Sequence, residues 1–172
     1  MQGMIHIYTG DGKGKTTAAA GLAVRAAGRK KRVLFVQFLK DNSSGEAAPL
    51  RQIGVTVRGL TSAGFVWQLS DAEKQHILEA QNQMLQTVLR ECSEGIWDMV
   101  ILDEIMAACQ TQLADETMVD ALIARKPDAM ELVLTGRNAP QKWIEQAHYV
   151  TELIGRKHPY GQNIPAREGI EY

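Results

Sequence analysis

Short runs of apolar residues recur along the chain, separated by longer stretches in which apolar positions have helical spacing. Residues 33–36 and 99–102 are unbroken apolar runs, which is typical of strands buried on both faces. Residues 53–57 instead alternate apolar and polar positions, the period of a strand with one buried face. Altogether the pattern predicts strands at 5–8, 33–36, 53–57, 99–102, 132–134 and 149–153.

Three stretches between these strands have the pattern of helices. Residues 16–27 are rich in alanine, and Gly28 follows as the expected end of that helix. Residues 70–73 have the spacing of a capping box and begin a long helix toward Arg90. Apolar residues between 118 and 123 share one helical face. Because strands and helices alternate, the sequence predicts an α/β fold with a mostly parallel central sheet and helices on both faces.

Loops are predicted at 41–49, which is rich in Asn, Ser and Gly, and at 59–69. Three other loops directly follow predicted strands, after Tyr8, Leu102 and Leu134. The carboxyl ends of parallel strands lie at the same edge of a sheet, where the ligands of such folds bind. We therefore expect these three loops to meet at a functional site.

Length and composition agree with one globular domain over residues 1–172. Apolar residues make up 45% and charged residues 23% of the chain, which excludes a disordered polymer. The net charge of −1 gives no general attraction to nucleic acids or membranes, and no apolar run approaches the roughly 18 residues of a membrane helix. Residues 1–5 lack the features of a signal peptide, so we expect a cytoplasmic protein with no nucleic-acid or membrane partner.

Residues 9–17, TGDGKGKTT, lie between a predicted strand and a predicted helix, which is the position of a phosphate-binding P-loop. The three glycines allow backbone N–H groups to surround phosphate oxygens, and the helix N-terminus adds partial positive charge. Lys15 can reach the phosphates and the Thr16 hydroxyl can bind Mg²⁺, which makes these two the candidate catalytic residues. The predicted ATP-binding residues of the loop are Gly10, Asp11, Gly12, Lys13, Gly14, Lys15, Thr16 and Thr17.

Thr9 stands where the general P-loop pattern has its first glycine, although the later glycines still supply flexibility. Lys13 is either a second phosphate contact or a solvated surface lysine, and the residues alone favour neither interpretation.

Acidic residues follow the strand predicted at 99–102, in the manner of a Walker B segment. A carboxylate at the end of such a strand can hold Mg²⁺ or its water shell, so Asp103 and Glu104 join Thr16 as candidate magnesium ligands. The alternative is that Asp103 caps a following helix.

Gly136 and Arg137 follow the strand predicted at 132–134. They could offer a backbone N–H and a guanidinium group to a phosphate of ATP. The alternative is an exposed loop arginine with no ligand.

Aromatic residues are scarce, at 6% of the chain, yet Phe65 and Trp67 share one predicted loop. They form either a flat apolar wall for a large ligand or an anchor that holds the loop to the core, and the residues alone slightly favour the anchor. His6 lies in a predicted strand and is expected to be structural, whereas the role of His158 stays open.

Taken in order, these segments resemble the ATP:corrinoid adenosyltransferases of the CobA/CobO/BtuR type. The resemblance covers nearly the whole chain. It is carried by TGDGKGKTTAAAGLAVRA, VLFVQFLK, Gly45-Glu46, GFVW, DMVILDEI, LVLTGRN, VTEL, Lys157-His158-Pro159 and Gly169-Ile170-Glu171.

The resemblance implies transfer of the 5′-deoxyadenosyl group of ATP to Co(I) of a corrinoid, with release of triphosphate. It also implies a RecA-like P-loop fold, a homodimer and a flavoprotein reductant. Threonine occupies the first P-loop position in this family, so Thr9 agrees with it. By the same resemblance residues 10–16 match the ATP loop, and Phe65 and Trp67 match an aromatic pair that shapes the corrinoid pocket and excludes the lower axial ligand.

Two other functions remain open from the residues. One is a small RecA-like P-loop ATPase or kinase, although Arg137, Arg156 and Arg167 form no clustered arginine lid. The other is a nucleotide-binding module without turnover. The products distinguish them, because the adenosyltransferase releases triphosphate, an ATPase or kinase releases ADP, and the module releases nothing. Whether the corrinoid is complete or an incomplete precursor is also open.

Overall fold

The computed structural model describes residues 2–40, 44–60, 69–162 and 164–170. Within these ranges, six strands form one sheet in the order β3-β2-β4-β5-β1-β6, and every neighbouring pair is parallel. The prediction of an α/β fold with a parallel central sheet is therefore confirmed. The strands are β1 (Ile5–Thr9), β2 (Val33–Gln37), β3 (Thr56–Gly59), β4 (Met99–Asp103), β5 (Glu131–Thr135) and β6 (Tyr149–Glu152).

Helices connect the strands, and their ends follow the expected signals. Gly28 caps the carboxyl end of the first helix, as predicted. Ser70 and Glu73 form the predicted capping box, in which the Ser70 N–H donates to Glu73 Oε2 at 2.8 Å. The helices are α1 (Lys15–Ala27), α2 (Ala47–Gln52), α3 (Asp71–Ser93), α4 (Ile105–Gln110), α5 (Glu116–Arg125) and α6 (Gln141–Ile144), and a short 3₁₀ helix spans Pro159–Gln162.

Alternating strand residues build a separate apolar core on each face of the sheet. Leu34 and Val36 of β2 join the core formed with α3, α4 and α5, whereas Val33 and Phe35 join the core formed with α1 and α2. Each large side chain that is fully buried in this way contributes about 1.5–3 kcal/mol of hydrophobic stabilisation. The prediction of helices on both faces is confirmed.

The structure corrects the prediction between the second and third strands. Helix α2 begins at Ala47, so the predicted loop at 41–49 is wrong for its last residues. Ile53 caps α2 and Gly54 turns the chain at φ 88°, which delays the start of the strand from residue 53 to Thr56. Residues 61–68 of the predicted 59–69 loop lie outside the described residues.

Helices α4 and α6 were absent from the sequence prediction. Both are short, at six and four residues, and directly follow strand-end loops that the sequence identified for other reasons. In the described part of the chain, no helix has the length and apolar character needed to cross a membrane.

Candidate functional site

The strand register brings several carboxyl ends together at one edge of the sheet. Tyr8 pairs with Thr135, and Gln37 pairs with Asp103. The loops that follow these strands surround a cavity of about 720 Å³. Its lining includes residues 11–17, Lys40, Gly45, Glu46, Glu104, Ala107, Gly136, Arg137, His158, Gly169 and Ile170.

The phosphate loop rests on the main chain that follows β6. The Gly12 N–H donates to the Leu153 carbonyl at 2.7 Å, and the Leu153 N–H donates to the Thr9 carbonyl at 2.8 Å. A Cβ atom added to Gly10 or Gly12 would lie 2.4 or 2.6 Å from the Leu153 oxygen. Glycine is therefore required here by the close approach of the main chain that follows β6, in addition to any need of a phosphate ligand.

Helix α1 begins directly after the loop because Gly14 turns the chain into it. Gly14 is the N-cap residue at φ 113°, a left-handed conformation that side chains disfavour. The first turn of α1 then places Lys15, Thr16 and Thr17 on the cavity. The helix N-terminus supplies partial positive charge at the point where the sequence predicts phosphate.

The Lys15 side chain folds back over the phosphate loop. Its Nζ atom donates to the carbonyl oxygens of Gly10 at 2.8 Å and Gly12 at 2.7 Å. Burial and the nearby charge of Arg137 lower the pKa of this ammonium group. Both hydrogen bonds are to main-chain carbonyls, so an anion in the cavity can take over the Lys15 ammonium without breaking an ion pair.

The Asp11 side chain contacts the main chain that follows β6. Its Oδ1 atom accepts from the Gly155 N–H at 3.0 Å, and this hydrogen bond is the main reason that the pKa of its carboxyl is lowered. Lys13 also lines the cavity. The structure thus brings all the predicted residues from Asp11 to Thr17 to one wall.

Asp103 lies at the end of β4 with its side chain fully buried. It accepts hydrogen bonds from Thr16 Oγ1 at 2.9 Å and from Thr135 Oγ1 at 2.7 Å. Thr135 Oγ1 in turn accepts from the Glu104 N–H at 2.9 Å. The N-cap residue of α4 is Glu104, at φ 62°, so the alternative role of Asp103 as a helix cap is wrong.

Sequence reasoning missed Lys40, which joins the acidic residues to Thr16. Lys40 Nζ lies 3.3 Å from Thr16 Oγ1, 3.3 Å from Asp103 Oδ2 and 3.3 Å from Glu104 Oε1. Burial opposes the charge of Lys40, but the carboxylates around it prevail and raise the pKa of its ammonium. The available signal was its place just after a buried strand of a parallel sheet, where ligands bind.

Glu46 completes the acidic side of the cavity. It accepts a hydrogen bond from Gln37 Nε2 at 2.8 Å, and Ser44 Oγ donates to Gln37 Oε1 at 2.8 Å. The buried Gln37 side chain at the end of β2 therefore fixes the start of the segment that carries Glu46. The pKa of Glu104, which also lies beside Lys40, is raised, chiefly by burial.

The Gly136–Arg137 loop is tied to both α4 and the phosphate loop. Gln110 Nε2 donates to the carbonyls of Arg137 at 2.9 Å and Asn138 at 3.0 Å. The Ala139 N–H donates to Thr9 Oγ1 at 3.3 Å, so the threonine at the first P-loop position connects the two loops. Arg137 is exposed and lines the cavity, and the ligand-binding interpretation of this arginine stays a prediction.

Gly136 allows α4 to pack against its loop. Its φ is 150°, and a Cβ atom there would lie 2.5 Å from Met106 Cβ. Any side chain at this position would push the loop away from the helix and move the neighbouring Arg137.

The aromatic and histidine candidates from the sequence lie in different parts of the chain. Phe65 and Trp67 lie outside the described residues. His158 lines the cavity. His6 Nε2 lies 2.9 Å from Glu131 Oε2, and its ring stacks on Tyr149, which agrees with the expected structural role.

The donor set at the acidic edge fits a magnesium ion that arrives with a nucleotide. Thr16, Asp103 and Glu104 present hydroxyl and carboxylate oxygens around a position that a lysine ammonium already occupies. Mg²⁺ is usually held by one or two carboxylates together with substrate phosphates. Among the residues described, no three His, Cys, Asp or Glu side chains are grouped to hold a metal by themselves.

The fold and the residues around this cavity define the class of protein to which the chain belongs. A glycine-rich loop joins the first strand to a helix N-terminus, and Lys15, Thr16 and the acidic residue that follows β4, Glu104, line the same cavity. This is the arrangement of P-loop proteins, which bind nucleotide phosphates.

Comparison with known proteins identifies the family within this class. The family model for ATP:corrinoid adenosyltransferase BtuR/CobO/CobP matches residues 1–172, and the chain belongs to that family. The corrinoid adenosyltransferase of Escherichia coli K12 is 36% identical over 99% of this chain and 86% of its own length. The Salmonella typhimurium LT2 protein named corrinoid adenosyltransferase CobA is 35% identical over the same shares, and the Pseudomonas aeruginosa corrinoid adenosyltransferase is 32% identical over 99% and 84%.

Proposed function

We propose that this chain transfers the 5′-deoxyadenosyl group of ATP to Co(I) of a corrinoid and releases triphosphate. The observation that carries the proposal is the cavity in which a phosphate loop, Lys15, Thr16 and the acidic end of β4 meet, in a chain that belongs to this family throughout its length. ATP and the corrinoid are both substrates.

The nucleophile in this reaction is the cobalt of the substrate, so the protein needs no nucleophilic side chain. The task of the chain is to hold C5′ of ATP in line with cobalt, since fixed orientation removes much of the entropic barrier. The bond that forms is Co–C5′, and the bond that breaks joins C5′ to the oxygen of the α-phosphate. The electron pair of that bond leaves with the triphosphate.

Negative charge grows on the triphosphate as it departs, and the phosphate loop is suited to stabilise it. Lys15 can exchange the carbonyl oxygens of Gly10 and Gly12 for phosphate oxygens, because its present partners carry no net charge. The N-terminus of α1 and Arg137 add positive charge on the same side. We assign ATP binding to residues 10–17 with Gly136 and Arg137.

Thr16, Asp103 and Glu104 are the proposed residues for Mg²⁺. The ion, when bound, supplies a concentrated positive charge to the phosphate oxygens. Thr135 keeps the Asp103 carboxylate in place from the other side, through its hydrogen bond of 2.7 Å.

Phe65 and Trp67 are proposed to form the apolar wall of the corrinoid site and to exclude the lower axial ligand. A corrinoid without that ligand is reduced from Co(II) to Co(I) more easily. Trp67→Ala should therefore slow the reaction that starts from Co(II) more than the reaction that starts from prereduced Co(I). Trp67→Phe is the matched control that keeps an aromatic wall, and equal losses in both assays would argue against the assignment.

The domain organisation, the oligomeric state, the cellular location and the electron donor are also proposals. We infer one domain over residues 1–172, a homodimer, a cytoplasmic location and a flavoprotein as the source of electrons. Sedimentation equilibrium tests the dimer, and reduction of the bound corrinoid by a purified flavoprotein tests the electron source.

The direct test of the proposed function is anaerobic. The protein is mixed with MgATP and chemically reduced cob(I)alamin, and the visible spectrum is followed. We expect the spectrum of an adenosylated, light-sensitive corrinoid, which photolysis should abolish. No spectral change, together with ADP and phosphate in solution, would assign the chain to the P-loop ATPases or kinases instead.

A further inference from the structure

Lys40 reaches the acidic cluster through an unusual backbone turn. Strand β2 ends at Gln37, and the Phe38 N–H still pairs with the Asp103 carbonyl at 3.0 Å. Leu39 then adopts φ 59°, a left-handed conformation that costs free energy for a residue with a side chain. This turn places Lys40 on the cavity rather than along the sheet.

The Lys40 ammonium is shared among several oxygens instead of forming one close ion pair. Three oxygen atoms, on Thr16, Asp103 and Glu104, lie at the same 3.3 Å from Nζ. A fourth, Glu46 Oε1, lies at 3.7 Å. A cation surrounded in this way occupies the position that a metal ion would take with the same ligands.

Asp103 gives a reason for a cation at this position, since the two hydroxyl donors of Thr16 and Thr135 leave its negative charge unbalanced. Its side chain is fully buried, and a buried carboxylate without a partner is strongly unfavourable. Lys15 of the phosphate loop donates its hydrogen bonds to the Gly10 and Gly12 carbonyls. Within the described ranges, the ion pair recorded for Asp103 is the one with Lys40.

A metal ion and the Lys40 ammonium would compete for these oxygens. Two cations within about 4 Å of each other repel strongly at the low effective dielectric of a half-buried site. Lys40 has a flexible four-carbon stem, so its head can leave while its backbone stays in place. A polyphosphate in the same cavity offers the displaced ammonium new oxygens.

We propose that Lys40 is a built-in counter-cation that holds the metal position before Mg²⁺ binds and then moves to the polyphosphate. Metal binding without a polyphosphate is thereby weakened, and metal and polyphosphate bind cooperatively. The identity of the polyphosphate rests on the proposed function, whereas the competition between Lys40 and a metal ion does not.

The first test measures metal binding without nucleotide or corrinoid. Mn²⁺ is the probe, and electron paramagnetic resonance of the free ion gives its Kd. Lys40→Met should lower the Kd for Mn²⁺ about fivefold or more, the usual size of coupling between two ligands. The matched control is Lys142→Met, which removes a lysine that pairs at 2.6 Å with Glu116 and with Asp120 outside the cavity. It should leave the Kd unchanged.

The second test measures inorganic tripolyphosphate binding by calorimetry at saturating Mg²⁺. Lys40→Met should weaken this binding about fivefold or more, because the displaced ammonium is missing. Lys40→Gln gives a second variant that keeps a polar head near Asp103 if Lys40→Met fails to fold. Unchanged or weaker Mn²⁺ binding in a folded variant overturns the competition, and unchanged tripolyphosphate binding overturns the transfer to phosphate. Neither measurement depends on adenosyl transfer.

Discussion

The two halves of the cavity are held by different kinds of contact. On the β1 side, main chain binds main chain, since Thr9 and Gly12 both pair with the backbone of Leu153. On the β4 side, side chains hold the site, since Asp103 is fixed by Thr16, Thr135 and Lys40.

The difference determines how each half responds to substitution. Backbone contacts survive most side-chain changes and fail where a new Cβ atom enters the contact. Side-chain contacts are lost when either polar partner is substituted, and a buried polar atom left without its partner costs about 1–3 kcal/mol of stability. The β1 side should therefore be sensitive at its glycines, and the β4 side at its hydroxyls and charges.

Lys15→Ala should give the largest functional effect. On the β1 side of the cavity it should remove activity while the fold is kept. Of the residues that the structure describes, the Lys15 head bonds only main-chain carbonyls and no charged side chain, so its loss leaves no buried charge unpaired and the fold should survive. Turnover should fall about 100- to 1,000-fold, as on removal of one charge-stabilising donor. Lys142→Ala is the control in the same steady-state assay. Turnover near that of the unmodified protein in Lys15→Ala would remove this residue from catalysis.

Gly12→Ala should give the largest structural effect on the β1 side. The new Cβ would lie 2.6 Å from the Leu153 oxygen and 2.9 Å from the Ile154 carbonyl carbon, and neither backbone atom can move cheaply. We expect a loss of about 3 kcal/mol in the free energy of unfolding, the upper part of the overpacking range, with ATP binding lost as well.

The matched control for this substitution is Gly21→Ala in the exposed side of α1. A Cβ there meets nothing within 4 Å, so the helix should gain about 0.5–1 kcal/mol. Denaturant unfolding of both variants checks the pair. Equal stability of Gly12→Ala and Gly21→Ala would contradict the backbone account.

Thr135→Val tests the β4 side without changing the size of the side chain. It removes the donor to Asp103 and the acceptor of the Glu104 N–H, both in the buried part of the site. The free energy of unfolding should fall by about 1 to 2 kcal/mol. Thr87→Val is the control, because its hydroxyl bonds the Gln83 carbonyl on an exposed helix turn. A fall no larger in Thr135→Val than in Thr87→Val would show that the buried hydroxyl is dispensable.

Asp98→Asn should give the smallest effect, because its side-chain contact lies at the surface. Arg32 lowers the pKa of the Asp98 carboxyl from 3.8 to about 2, through hydrogen bonds from its side chain and backbone. Because the pKa of this carboxyl is lower in the folded protein than in the unfolded chain, its ionised form stabilises the fold at pH values above the unfolded-chain pKa of 3.8. That stabilisation is lost as the pH falls through the folded-state pKa of about 2. The unmodified protein should exceed Asp98→Asn by less than about 1 kcal/mol at neutral pH.

Urea unfolding of both proteins at several pH values measures this difference. It should shrink as the pH falls from about 4 through about 2, because the Asp98 carboxylate is then progressively protonated and becomes neutral like the asparagine. A difference independent of pH would show that the carboxylate charge is not its source.

The backbone half of the site was largely predictable from sequence. The P-loop pattern, the apolar strand before it and the alanine-rich helix after it each act over a few neighbouring residues. Residues 10–17 lie where that reasoning put them. The contact of Gly12 with Leu153 could not be predicted, because the two residues are far apart in the sequence and the hydrogen bond joins their main chains.

The side-chain half was predictable only in part. Asp103 was found because it ends an apolar run, whereas Lys40 and Thr135 were missed. Thr135 ends β5, and Lys40 follows β2. Which side chains lie next to them depends on the order of the strands in the sheet, and the hydrophobic periodicity of the sequence does not give that order. The delayed start of β3 has a local cause, the turn at Gly54, that a period-two pattern cannot show.

The central claim is that the cavity holds ATP for cleavage between C5′ and the α-phosphate oxygen. Phosphorus NMR of the anaerobic reaction with MgATP and cob(I)alamin tests it most directly. The account predicts intact triphosphate, formed in equal amount to the adenosylated corrinoid. ADP with inorganic phosphate, or adenosylated corrinoid without triphosphate, would contradict it.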